Sequence, residues 1–155
     1  MEWVRPVLVI SARSILGLLL AGSFGLLGVG IGWGSYVFFG ATSRDTLLIL
    51  LIGGAVVGAA TGGFLGWLRL EHNSPVRIIS TIALLLLAAL GGAWGGFQYG
   101  AIQEVPCCAT ANITPITYIM LGATITTNAV ALILSLTQSA LPALMRQFLA
   151  GKFGR

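Results

Sequence analysis

The stretch TLLILLIGGAVVGAATGGFLGWL, residues 46–68, contains no ionisable side chain, and Arg44-Asp45 and Arg69 bracket it. As a helix rising 1.5 Å per residue it would be about 34 Å long, enough to cross the roughly 30 Å hydrocarbon core of a bilayer. A lipid interior offers no water to backbone N–H and C=O groups, so such a segment satisfies them internally as an α-helix.

Working outward, comparable apolar runs occupy residues 15–40, 76–100 and 113–138. A chain of 155 residues that is 57% hydrophobic and 8% charged carries more apolar surface than so small a body can hide from water. The expected fold is an all-α membrane protein. It is one membrane domain over residues 1–155, with four transmembrane helices at about 15–40, 46–68, 76–100 and 113–138. Short connections make neighbours antiparallel, in an up-down-up-down bundle. Beyond the fourth span, Leu141, Leu144, Met145, Phe148 and Leu149 recur at helical spacing, with Ser139 able to cap and Pro142 in the first turn. This pattern predicts a short interfacial amphipathic helix over about 139–150, with Lys152 and Arg155 beyond it meeting anionic lipid.

Arg5, Arg13, Arg69, Arg77, Arg146, Lys152 and Arg155 fall on one side of this topology, and Arg44 alone on the other. The positive-inside rule then makes both termini cytoplasmic. Trp33, Tyr36, Trp94, Tyr99 and Tyr118 mark the outer ends, while Trp3 and Trp67 mark the inner face. Short loops without a separate domain suit a bacterial cytoplasmic (inner) membrane. The cations are scattered singly, which argues against a nucleic-acid partner and for membrane lipids.

Small residues dominate three of the spans. Gly54, Gly58, Gly62 and Gly66 repeat every fourth residue, Ala88, Gly92, Gly96 and Gly100 do the same in the third span, and Gly28 with Gly32 and Gly30 with Gly34 form pairs in the first. Such glycine-zipper stripes let backbones approach closely. The expectation is a tight trio of helices one to three, with the fourth packing by another rule, or a stripe turned towards an external partner. Trp33-Gly34-Ser35-Tyr36 also resembles Trp94-Gly95-Gly96-Phe97, which permits a parallel repeat of two hairpins.

No Asp, Glu, Lys, Arg or His lies in the interior of a span, which argues against proton relays, voltage sensors and ion-coupled transport. His72 is the single histidine, so a bis-histidine haem has no ligand pair. No catalytic or metal site is expected. Asn128, with Thr127 beside it, is the most polar point, expected near the midplane and hydrogen-bonded to Thr61 or Ser23. Cys107 and Cys108 form a candidate thiol site in an outer loop, but neighbouring Cα atoms stand about 3.8 Å apart, below the usual disulfide range. No cofactor is expected; lipid, quinone or pigment are the ligands such apolar surfaces take. The functional expectation is a non-catalytic accessory or structural subunit of a larger membrane-embedded complex, such as an electron-transfer or photosynthetic one, contacting other integral subunits or copies of itself. The alternative is a small oligomeric channel or transporter for an ion or neutral solute, lined by the Thr and Asn face of the fourth helix.

Overall fold

The computed structural model describes residues 4–40, 43–67, 75–103 and 114–152, and of 4–7 and 138–152 the backbone only. Four helices account for them: α1 (Val4–Phe38), α2 (Arg44–Trp67), α3 (Pro75–Ala101) and α4 (Thr114–Lys152). Each contains a stretch long and apolar enough to cross a membrane, ending in α4 at Thr137. The chain is therefore an integral membrane protein built as an all-α four-helix bundle. Consecutive helices run antiparallel, so both chain ends lie on one side, called here the terminal side; the α1–α2 and α3–α4 connections lie on the hairpin side.

Helix ends follow local chemistry. Gly40 adopts φ +60°, a left-handed conformation that costs other residues energy, and its N–H donates to the Val37 carbonyl as α1 closes. The Ser43 carbonyl accepts the Leu47 N–H at the start of α2, where Asp45 complements the helix dipole. Pro75 opens α3, a position where its missing N–H has no intrahelical partner to lose.

Two boundaries differ from expectation. α1 begins at Val4 rather than near residue 15, because the Val-, Leu- and Ile-rich segment continues the helix and Pro6 falls in its first turn. At 35 residues it is about 52 Å long, longer than the bilayer core, so Arg13 belongs to the helix near its terminal-side end. In α4, residues 139–150 are helical but not separate: the helix runs unbroken to Lys152, with Pro142 inside it rather than at a start. A proline at such an interior position forfeits one backbone hydrogen bond and crowds the carbonyl four residues earlier, a cost of about 3 kcal/mol.

The packing also corrects the expected trio. Glycines join helices in pairs, α1 with α2 and α3 with α4. A Cβ at Gly54 would fall on the Gly28 carbonyl; one at Gly58 would meet the Phe24 carbonyl, at Gly62 that of Leu20, and at Gly32 that of Leu50. Gly66 closes the row: a Cβ there would lie 2.7 Å from the Gly17 Cα. In the second hairpin Gly92 opposes Gly122, Gly96 opposes the Tyr118 carbonyl, and a Cβ at Gly100 would lie 2.7 Å from the Pro115 Cα. The fourth helix thus follows the same rule with a single glycine, because one side chain need be absent only where two backbones cross.

The hairpins meet through α2 with α4 and equally through α2 with α3, and somewhat less through α1 with α4, while α1 and α3 do not touch among the described residues. This is the neighbour pattern of two hairpins related by an approximate two-fold along the membrane normal. The core is lined with alanine, Ala21, Ala55, Ala59, Ala89, Ala93 and Ala123, around the buried Leu51, Leu85 and Ile119. Lipid competes equally for apolar side chains, so close van der Waals approach rather than water expulsion holds such a core together.

Candidate functional site

α4 faces all three other helices, and its polar residues divide among them. The Thr126 hydroxyl reaches the Ala88 carbonyl of α3 at 2.8 Å, and the Gly122 carbonyl of its own helix at the same distance. Thr127 points its methyl group at Gly63 of α2, where a Cβ would come within 2.6 Å. Thr124 packs beside Gly22 and Gly25 of α1. Thr124, Thr127 and Asn128 are all buried inside one chain, so these polar residues of α4 are turned towards the other helices of the bundle.

Asn128 gathers a cluster in which three helices share polar groups. Trp67 of α2 donates its indole Nε1–H to Asn128 Oδ1 at 2.8 Å, and Asn128 Nδ2 donates to the Ser14 carbonyl of α1 at 3.4 Å. Gly17 makes room: a Cβ there would lie 2.5 Å from the indole nitrogen and 2.6 Å from Oδ1. The expected partners are thus corrected. Thr61 bonds to the Val57 carbonyl of its own helix, and Ser23 is exposed. Asn128 lies about 21 Å along α4 from Thr114, on the terminal side of the midplane. Trp67, expected as a headgroup anchor, instead turns partly inward against the core. Sequence reasoning missed Ser14 and Gly17 because a backbone carbonyl leaves no sequence mark, and the series Gly17, Ala21 and Gly25 marks a flat helix face without saying what it faces.

Thr127 is fully buried, and its hydroxyl has no hydrogen-bond partner. Among the described residues no three His, Cys, Asp or Glu side chains come together as a metal site would require. Cys107, Cys108 and His72 lie outside the described residues.

The second feature is a groove of about 450 Å³ on the lipid-facing side of the α1–α2 seam. Its floor is glycine, Gly28, Gly32, Gly53, Gly54 and Gly58, and its walls include Phe24, Ile31 and Val57. Ser35 and Thr61 supply its side-chain hydroxyls. From Phe24 to Ser35 it runs about 16 Å along α1. It offers shape and apolar contact, not acid–base or nucleophilic chemistry. Compared with known families, characterised proteins and solved structures, the chain matches none.

Proposed function

We propose that this chain is a non-catalytic accessory or structural subunit of a larger membrane-embedded complex, with its termini cytoplasmic in a bacterial inner membrane. The observation that carries the reading is the α1–α2 groove. The two backbones already touch through glycine, yet Gly53 beside the seam has no atom within 4 Å of where its Cβ would sit. This leaves a notch into which the side chains of another membrane helix fit, the use to which glycine-zipper surfaces are put. The charge asymmetry of the loops supports the orientation. An electron-transfer or photosynthetic assembly, with its many single-helix and few-helix subunits, is the type of complex we favour.

Gly53→Leu tests this directly, since it fills the groove without striking the fold. The expected result is that a mild-detergent native extract retains other membrane proteins around the wild type and loses them with the variant. Migration of the wild type at monomer mass with nothing copurifying would defeat the proposal.

A further inference from the structure

Arg13 stands inside the apolar length of α1, not at its end. The membrane-crossing stretch runs Leu8–Phe38, which puts Arg13 five residues, about 7.5 Å, in from its terminal-side limit. Val9, Ile10 and Leu16 flank Arg13 on the helix surface at spacings of four and three, and all of them are exposed. The arginine itself is only half-buried. Gly17, Ala21 and Gly25 follow it at successive four-residue steps and are buried, so Arg13 continues the face of α1 that meets α2 and α4. It comes one turn to the terminal side of Gly17, the residue packed against the Trp67–Asn128 pair.

A guanidinium with apolar side chains on both sides needs an anion. Among the described residues the chain supplies none at this end: the one described carboxylate is Asp45, at the hairpin-side start of α2. The charge balance of the terminal side has the same sign. Seven of the eight Lys and Arg residues belong there by topology, but of the four acids only Glu2 and Glu71. Side chains on a helix lean towards its N-terminus, which for α1 is the terminal side, so Arg13 leans towards the headgroups.

We propose that this end of the seam binds the phosphodiester headgroup of an anionic lipid, with Arg13 as its cation and Val9, Ile10 and Leu16 against its acyl chains. A guanidinium presents a planar fork of donors that matches two phosphate oxygens. The net positive terminal side selects a lipid with net negative charge over a zwitterionic one. A soluble anion would answer the charge but leave the apolar residues around it without a counterpart. Arg13 lies roughly 16 Å along α1 from Phe24, the near end of the α1–α2 groove, so the lipid site is independent of the subunit reading.

Native mass spectrometry of the purified full chain, titrated in detergent with phosphatidylglycerol or phosphatidylcholine, tests it. Wild type should retain phosphatidylglycerol in preference to phosphatidylcholine. Arg13→Gln should weaken that binding by about tenfold or more, as loss of hydrogen bonds to a charged group does. Arg77 is exposed in the first turn of α3, and Arg77→Gln should stay within the roughly fivefold effect of one cation at an anionic surface. Arg13→Lys, which keeps the charge without the planar fork, should fall between wild type and Arg13→Gln. Equal retention of the two lipids by the wild type overturns the proposal, and that comparison needs no variant to fold. Arg13→Gln with no greater effect than Arg77→Gln also overturns it, as it would if Glu2 or Glu71 held the guanidinium instead. Displacement of phosphatidylglycerol by excess inorganic phosphate would make the ligand a soluble anion and overturn it too.

Discussion

The indole N–H of Trp67 and the amide oxygen of Asn128 form a 2.8 Å hydrogen bond that ties the two hairpins together near the terminal side. Asn128→Leu removes this bond and the one to Ser14, and leaves an indole N–H in a place where water is scarce. Interhelical side-chain bonds in membranes average about 0.6 kcal/mol, with a maximum near 1.7. The expected loss is about 1 kcal/mol of unfolding free energy in a denaturant titration. Trp67→Phe should cost a similar amount, and the double variant less than the two costs added together. Full additivity would show that the pair is not coupled.

Neighbouring threonines on α4 should respond in opposite directions. Thr127 buries a hydroxyl with no partner, an arrangement that costs about 1–3 kcal/mol, and Val replaces it with a similar shape. Thr127→Val should therefore leave stability unchanged or raise it. Thr126→Val deletes the link to the Ala88 carbonyl and should lower stability by roughly 0.5–1.5 kcal/mol. Thermal unfolding of both variants in one detergent checks the sign, and a destabilised Thr127→Val would mean that its hydroxyl has found a partner.

Gly53 and Gly54 make the same comparison on α2. A Cβ at Gly54 meets the Gly28 backbone, which cannot move aside as a flexible side chain could, whereas Gly53 faces open space. Gly54→Ile should separate α1 from α2 and abolish the folded bundle, seen as loss of a monodisperse peak in size-exclusion chromatography. Gly53→Ala should keep the peak and raise the unfolding midpoint, by up to about 1 kcal/mol of helix propensity.

The spans were legible in the sequence because lipid imposes a length and a polarity that no tertiary contact can override. Partner choice was not. A four-residue glycine spacing reveals which face of a helix is flat, but Gly58 meets the Phe24 carbonyl and Gly62 that of Leu20, so the spacing does not say which residues lie opposite. Gly122 is the one glycine of the fourth span and belongs to no glycine repeat, yet it faces Gly92 across the α3–α4 seam. Trp67 was read as an interfacial anchor from its position at a span end; its contact with Asn128 depends on the room left at Gly17, on a third helix. The starts of α1 and the end of α4 were misjudged for another reason, since outside the bilayer core helix continuation is set by backbone propensity and no longer by hydropathy.

The division into hairpins makes a last prediction about assembly. Within each hairpin glycine brings backbones into contact along most of the crossing, so each can form as a unit in the membrane before the two associate, as stable helices do in lipid. Between hairpins the described contacts rest on an alanine core shared by α2, α3 and α4 and on the Asn128 cluster. A chain cut between α2 and α3 and expressed as two tagged halves should therefore reassemble, with one tag recovering the other half. Asn128→Leu in the second half should reduce that recovery several-fold, while Gly53→Ala in the first should not. If both halves insert yet fail to copurify, the hairpins are not independent units, and the loop between α2 and α3 contributes more to the bundle than its helices do.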